Sequence, residues 1–294
     1  LMLDRGKELD WFNSPEIIIL AVIAVVGITL LIAWECTDEN PVVDFSLFKS
    51  RNFTVGVVCI SCAMLTYFGT IVLIPLLLQG HQGYTATQAG LAAAPIGILP
   101  VLLAPVIGKN AHRIDMRMLA CFSLLVFAVC FHLRVSFSPE MDFRWVIIPQ
   151  FLQGMGVACF FMPLTTICFA GLRPDQLAAA SSLSNFMRVL SSSIGTSVTI
   201  TMWERREALH HTFLTEHINA YNPTLYETLD RLVYLGFSDD QASAYLAKTI
   251  TTQGFFIAAN ELFWLCSVLL LCLSTVVWLS RPKGAAVSDG GGTH

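Results

Sequence analysis

The stretch "QAGLAAAPIGILPVLLAPVIG", residues 88–108, decides the fold class of this chain. It is apolar along almost its whole length, and it contains Pro95, Pro100 and Pro105. Prolines at this density break a helix in water, but a helix inside a bilayer tolerates them where neighbouring helices satisfy the freed carbonyls. About 20 residues is also the length that crosses the hydrocarbon core. The stretch therefore predicts a membrane-spanning helix.

The composition extends this prediction to the whole chain. Of its 294 residues 55% are hydrophobic and 13% are charged, whereas soluble domains are about 25% charged. Apolar stretches of spanning length cover residues 17–34, 53–78, 86–107, 116–135, 145–171, 179–203 and 254–280. The formal net charge is -4, and the basic residues form no block of the kind that binds nucleic acid. We expect an all-α integral membrane protein.

The distribution of lysine and arginine predicts how the chain is oriented. One set of short connections holds Lys49, Arg51, Lys109, Arg113, Arg117, Arg173, Arg281 and Lys283. The opposite set holds Arg5, Lys7, Arg134 and Arg144, counting residues at the edges of spans. Because short cytoplasmic connections are enriched in basic residues, the first set is predicted to be cytoplasmic, and the C-terminus with it.

The connection 204–253 is the largest polar segment. It favours two short amphipathic helices that are broken near Gly236. Ser238 and Gln241 have the spacing of a capping box, which starts the second of these helices. The tail 281–294 contains "KGAAVSDGGGTH", and this glycine-rich composition predicts disorder.

Two motifs identify the chain as resembling a known transporter family. The first motif consists of Leu78–Gln79, Gly83–Tyr84–Thr85, Ala89–Gly90, Pro95, Pro105 and Gly108. The second, residues 151–197, has a Gln-Gly-x-Gly span followed by a helix of small residues with Asn185 and Arg188 three apart. Both are similar to the fourteen-helix drug:proton antiporter branch of the major facilitator superfamily. The segments "LMLDRGKELDWF", "NPVVDFSLFKSRNFT" and "ANELFW" extend the resemblance to the inner-membrane pumps of tripartite multidrug exporters.

The resemblance implies a domain organisation. Residues 1–16 would be a periplasmic segment after a missing linker helix, and 17–34 a linker transmembrane helix. Residues 53–280 would be the C-terminal six-helix transport domain, with a periplasmic helical hairpin at 204–253. Residues 281–294 would be a cytoplasmic tail, and the protein would lie in a bacterial inner membrane.

The resemblance also implies a function and partners. The expected function is proton-driven export of hydrophobic drugs and uncouplers, with no enzymatic activity and no cofactor. The implied partners are the N-terminal half of the transporter, a periplasmic membrane fusion adaptor protein and an outer-membrane TolC-type channel. Two alternatives stay open: a fragment that is inactive alone, and an exporter of another small molecule, such as a siderophore or a lipid.

Arg188 is the first candidate site residue. An arginine about nine residues into a span costs at least ~2.5 kcal/mol, so it is expected to face the bundle interior or an aqueous cavity. Asn185 lies one turn earlier on the same helix face, and Ser181, Ser192 and Thr196 continue this polar stripe. Arg188 and Asn185 are therefore candidates for the substrate cavity or its gating, or for a structural tie between helices.

Further candidates lie in the fifth and last spans. Glu261, about eight residues into the last span, could carry a proton, pair with Arg188 or occupy the membrane interface. A broad-specificity cavity needs adaptable aromatic and methionine surface with a few polar groups, or the same side chains could serve ordinary packing. The fifth-span candidates are Gln150, Gln153, Phe160, Phe161 and Met162.

Three weaker patterns complete the set. The family often has an acidic residue in the loop "GKNAHRIDMR", at the position where this chain has His112. Either no cytoplasmic latch forms at this loop, or a latch depends on the other charged residues there: Lys109, Arg113, Asp115 and Arg117. Ser191, Gly195 and Thr199 recur every four residues, which favours close helix packing. A cluster of possible metal ligands lies in the connection 204–253, but nothing in the sequence fixes the geometry that metal binding needs: Glu207, His210, His211 and His217.

Overall fold

The computed structural model describes residues 14–37, 45–110, 114–216, 218 and 223–280, and their regular structure is helical. The α-helices are α1 (Pro15–Thr37), α2 (Arg51–His81), α3 (Ala86–Ala93), α4 (Ile98–Asn110), α5 (Met116–Arg134), α6 (Phe143–Ala158), α7 (Phe161–Phe169), α8 (Leu177–Glu216), α9 (Pro223–Tyr234) and α10 (Asp239–Val276). Short 3-10 helices cover Phe45–Lys49, Ala94–Gly97, Pro174–Gln176 and Val277–Leu279.

Five helical stretches of the described residues are long and apolar enough to cross a membrane: Arg51–His81, Ala86–Asn110, Met116–Arg134, Phe143–Phe169 and Asp239–Leu279. They correspond to five of the seven predicted spans. The predicted linker 17–34 lies in α1, whose apolar part, Pro15–Leu30, is shorter. The predicted span 179–203 lies inside α8, which is long enough to cross a membrane. α8 is not among the five apolar stretches because its serines, threonines and Arg188 make it more polar.

α8 nevertheless packs deeply against α2. A Cβ atom at Gly195 would lie 2.6 Å from Leu65 Cα, so only a glycine permits this approach of the two backbones. One turn further, a Cβ at Gly69 of α2 would lie 2.9 Å from Thr199 Cβ. Close packing at Gly195 and Thr199 is confirmed, and it explains how a polar helix is held against the bundle core.

Prolines divide two of the predicted spans. The 3-10 turn Ala94–Gly97 separates α3 from α4, and Pro100 has no N–H to donate to Ile96, four residues earlier. The predicted span 145–171 corresponds to the stretch Phe143–Phe169, but two helices form it, because α6 ends at Ala158 and α7 begins at Phe161. Pro163 is the physical reason, since it cannot donate to the carbonyl of Cys159.

The connection 204–253 differs from the predicted pair of short helices. α8 runs on without a break to Glu216, and α10 begins at Asp239 and continues into the last span, so only α9 is a separate short helix. The break at Gly236 is confirmed by its φ of +98°, a conformation that favours glycine. The predicted capping box is also confirmed: Ser238 Oγ accepts from Gln241 N at 3.3 Å, and Gln241 Oε1 accepts from Ser238 N at 3.0 Å.

The bundle has two ends that are fixed by contacts between helices. At one end, the His81 end, Trp203 of α8 donates to Phe255 O of α10 at 2.9 Å, and the His81 ring lies 4.1 Å from the Phe255 ring. At the other, the Arg117 end, Arg117 Nη1 donates to Ser280 O at 3.2 Å. Each candidate site residue can be placed relative to these ends.

Candidate functional site

A fully buried arginine lies inside the bundle near the His81 end. Arg134, the last residue of α5, is 1% exposed. Its Nη2 donates to Gln150 Oε1 at 2.8 Å and to Gln153 Oε1 at 2.5 Å, both on α6. Its guanidinium also lies 5.2 Å from the Phe131 ring centroid, one turn earlier on α5. A permanently charged group thus joins two helices in the protein interior.

The buried position of Arg134 corrects the prediction of orientation, which counts Arg134 among the basic residues of a short connection. α5 reaches Arg134 as a continuous helix, and the chain then turns back through Phe137, so the side chain points into the bundle. The signal was present in the sequence, because Gln150 and Gln153 are three apart and share a face of α6. What the sequence does not give is the pairing of that face with α5.

Gln150 and Gln153 were predicted to line a cavity. Each is 2% exposed and faces Arg134 rather than an open surface. Phe160 is also buried, at 1%, and its ring lies 5.6 Å from that of Phe127. These three side chains are within the bundle core of the described residues.

Arg188, Asn185, Phe161 and Met162 lie together on an uncovered face that α7 and α8 form. Arg188 Nη2 donates to Asn185 Oδ1 at 2.6 Å, and its guanidinium lies 5.8 Å from the Phe161 ring centroid. Phe161 is 40% exposed and Met162 37%. Ser192 and Thr196 of the same stripe donate to carbonyls of α8 itself. This face thus combines a cation, an amide and adaptable apolar side chains at one surface.

Glu261 does not pair with Arg188. Its Oε2 accepts from Arg206 Nε at 2.7 Å, and its Oε1 lies 3.0 Å from His210 Nε2, so α10 is tied to the outer part of α8. The hydrogen bond to Glu261 and the charge of that carboxylate raise the pKa of the Arg206 guanidinium, which therefore stays charged. The alternative that Glu261 is the partner of Arg188 is wrong, because the two lie towards different parts of the bundle.

Replacing Glu261 by glutamine is expected to lower the free energy of unfolding by less than about 1 kcal/mol. Its side chain is 36% exposed and that of Arg206 is 46% exposed, so water screens the pair. Thermal unfolding of the purified chain in detergent measures this, with Glu227→Gln on the exposed surface of α9 as the control. A loss of several kcal/mol would show that Glu261 anchors the fold.

Two of the predicted latch residues, Asp115 and Arg117, lie at the Arg117 end. Asp115 caps α5 by accepting from Arg117 N at 2.9 Å, and the two side chains approach to 3.5 Å. The Arg117 guanidinium also lies 5.6 Å from the Trp278 ring, near the end of the last span. Lys109 is exposed, and Arg113 and His112 lie outside the described residues. The observed contacts thus tie the start of α5 to the segment that follows α10.

The histidine cluster is not brought together as one site in the part of the chain that is described. His210 faces Glu261, and His217 lies outside the described residues. No group of three potential metal ligands occurs among the residues for which the structure gives positions.

Comparison with known proteins shows which proteins this chain is similar to. The chain is 58% identical over 295 residues to the multidrug export protein EmrB of Escherichia coli (strain K12), a match that covers 100% of the chain and 58% of the relative. It is 56% identical over 283 residues to EmrB of Haemophilus influenzae, covering 96% of the chain and 56% of that relative. It is 52% identical over 294 residues to the fatty acid resistance protein FarB of Neisseria gonorrhoeae, covering 100% and 57%.

The chain therefore spans less than two thirds of the length of the curated relatives it matches. A family model described as Major Facilitator Superfamily matches residues 9–196, which is more than half of the chain. With several helices that are suited to crossing a bilayer, this indicates a multi-pass membrane protein. From its sequence and its helical bundle, the chain belongs to the major facilitator superfamily.

Proposed function

We propose that this chain forms the C-terminal six-helix domain, with one linker helix, of a proton-driven multidrug exporter in a bacterial inner membrane. The observation that carries the proposal is the 58% identity, over the whole chain, to a protein named for multidrug export. The six helices would be the five apolar stretches and α8, with α1 as the linker. The C-terminus would be cytoplasmic, and α9 with the adjoining parts of α8 and α10 would lie in the periplasm.

The uncovered face around Arg188 supports a role in transport. In a two-domain transporter the substrate site lies between the halves, near the bilayer midplane. α8 presents Arg188 and Asn185 beside Phe161 at such a face, and the Ala86–Asn110 span is mostly exposed as well. An N-terminal half would cover these surfaces and complete a cavity. Arg188 would orient polar drug groups, and Phe161 with Met162 would accommodate apolar ones.

Proton coupling and the partners belong to the same proposal. Glu261 stays our proposed proton-coupling residue, because it forms one cluster with Arg206 and with His210, whose Nε2 lies 3.0 Å from Glu261 Oε1. Proton entry would favour one arrangement of the two halves, and drug release would favour the other arrangement. A periplasmic membrane fusion adaptor and an outer-membrane TolC-type channel would receive the drug.

A chimera tests the proposed function. Residues 1–294 would replace the matching part of E. coli EmrB in a drug-sensitive strain that lacks that pump, and growth with an uncoupler would be measured. We expect the chimera to restore resistance. The chain expressed alone should not restore it, because an alternating-access site needs both halves. A chimera that is present in the membrane but gives no resistance would contradict the proposal.

Within this chimera, Arg188→Ala is expected to lower resistance at least several-fold while the amount of membrane protein stays unchanged. Arg188 is only partly buried, and its partner Asn185 can bind water instead, so the fold should tolerate the loss. Arg173→Gln, at an exposed turn, serves as the matched charge-removing control. Loss of the protein itself would assign Arg188 a structural role, and unchanged resistance would exclude it from the cavity.

A further inference from the structure

An amphipathic groove runs along the outer side of α10, near the end of its predicted span. Its volume is about 520 Å³, which lies within the range of about 300–1,000 Å³ that is typical of ligand sites. Arg206 of α8 and Glu261 of α10 form its polar end, and most of its other walls are apolar. Trp264 and Leu265, both exposed, belong to these apolar walls. The groove thus places a pair of opposite charges beside an open apolar surface.

The groove lies on the side of α10 that faces away from the bundle core. Phe263 and Leu270 of α10 are buried in the core, whereas Trp264 is 53% exposed. Val268 and Leu269, one turn further along the span, are also exposed and continue this apolar surface. Lipid tails are as apolar as leucine, so such a surface of a spanning helix suits contact with acyl chains. The apolar surface leads from the charged pair towards the middle of the bilayer.

The charged pair lies at the depth of lipid headgroups. Arg117 and Trp278 mark the opposite end of the bundle, and Trp278 is about five helical turns from Glu261, or roughly 25 Å at 1.5 Å per residue. Because the hydrocarbon core is about 30 Å thick, Glu261 lies close to one membrane surface when Trp278 lies close to the other. Trp264 accordingly falls at a level where spanning helices are enriched in tryptophan. In the proposed orientation this surface is the periplasmic one.

Both members of the pair keep hydrogen-bonding capacity. Arg206 donates through Nε to Glu261 Oε2 at 2.7 Å, and no hydrogen bond from its Nη1 or Nη2 reaches a described residue. Glu261 Oε1 lies 3.0 Å from His210 Nε2, and each carboxylate oxygen has two lone pairs with which it can accept hydrogen bonds. A ligand in the groove can therefore accept from the guanidinium and donate to the carboxylate at the same time.

We propose that the groove binds a phospholipid whose zwitterionic headgroup ends in a primary ammonium, namely phosphatidylethanolamine. The Nη groups of Arg206 donate to the phosphodiester, because a guanidinium matches the geometry of phosphate oxygens. The ammonium donates to Glu261, and the acyl chains lie along the apolar side of α10. An anionic headgroup fits less well, because Glu261 repels it and because Glu204 and Glu207 balance the charge of Arg205 nearby. A quaternary choline headgroup has no N–H group to donate.

The test compares phosphatidylethanolamine with phosphatidylcholine that carries the same acyl chains. The purified chain in a non-ionic detergent is unfolded by heat with increasing amounts of each lipid, because a ligand that binds the native state raises the unfolding temperature. We expect phosphatidylethanolamine to bind at least several-fold more tightly, since only its headgroup donates hydrogen bonds to the carboxylate. Equal stabilisation by both lipids, or stronger stabilisation by the anionic phosphatidylglycerol, would refute the proposal.

Variants of the pair assign the contacts of the headgroup. Glu261→Gln should remove the preference for phosphatidylethanolamine over phosphatidylcholine, and Arg206→Gln should weaken the binding of both lipids. Water screens the pair, so both variants are expected to fold. Arg173→Gln, at an exposed turn, serves as the control and should change neither affinity. A preference that survives Glu261→Gln would contradict the assigned contact of the ammonium.

A second measurement does not depend on the folding of a variant. Phosphatidylethanolamine with a photoreactive diazirine near the start of one acyl chain would be irradiated with the unmodified chain in mixed micelles, and the labelled residues identified. We expect label on Trp264 or Leu265 that excess phosphatidylethanolamine removes and phosphatidylcholine does not. Label spread over exposed residues of other helices, such as Val101, without this competition would indicate general contact with lipid and overturn the site. Cross-links between two chains in the groove would assign it to a second copy and also overturn the site.

The site and the proposed function can fail separately. Lipid binding is measured on the chain without transport, so a chimera that gives no resistance would leave the site standing. A chimera that restores resistance, together with a chain that shows no preference between the two lipids, would remove the site and leave the function.

Discussion

Replacing Gly195 by leucine should prevent the accumulation of folded protein. α8 and α2 approach so closely that a Cβ at this position would lie 2.6 Å from Leu65 Cα and 2.7 Å from the Leu65 carbonyl carbon. A clash with backbone cannot be relieved by a change of rotamer, so the two helices would have to separate. We expect a cost of about 3 kcal/mol or more, at or above the upper end for overpacked cores.

Gly90→Leu provides the matched control for this prediction. Gly90 is also a helical glycine, but apart from the backbone of its own helix and its chain neighbours no described atom lies within 4 Å of a Cβ built there. Size-exclusion chromatography and thermal unfolding of the two detergent-solubilised variants would measure the difference. Equal yields and unfolding temperatures for both variants would show that α8 does not pack on α2 as described.

Replacing Arg134 by alanine should have the second largest effect on stability. The truncation empties a fully buried site and leaves the carbonyl oxygens of Gln150 and Gln153 without their donor. Breaking a buried charged network by removing one member costs about 3–5 kcal/mol. Thermal unfolding in detergent should therefore show a marked fall in the transition temperature, larger than that for Glu261→Gln.

A triple variant tests whether the cost of Arg134→Ala comes from leaving buried polar groups without partners. Replacing all three network residues by methionine leaves no buried polar group unsatisfied, and apolar replacements of whole networks are often neutral or stabilising. We expect this variant to unfold at or near the temperature of the unmodified chain. A triple variant as unstable as Arg134→Ala would contradict this explanation of the cost.

Much of the local structure could be predicted from the sequence because it depends on neighbours within a few residues. The capping box of Ser238 and Gln241 and the break at Gly236 are both decided within one turn. The apolar stretches predict helices because a bilayer leaves the backbone few other ways to satisfy its polar groups. The contact between Asn185 and Arg188 likewise follows from helical spacing.

The partners of the buried and half-buried charges could not be predicted. The sequence assigns Arg134 to a connection, because hydropathy and charge counts use only its distance from the end of a span. Glu261 had several possible partners, and the packing of α10 against the outer part of α8 selects Arg206 and His210. Such choices depend on contacts between residues that are far apart in the chain.

The sequence by itself determined the helical membrane class, most helix positions and the small-residue face of α8, because length, hydropathy and local spacing suffice for these. Only the tertiary structure decided that α6 turns Gln150 and Gln153 towards Arg134. The reason is physical: the rotation of one helix against another is set by the summed packing of many side chains, which no single stretch of sequence contains.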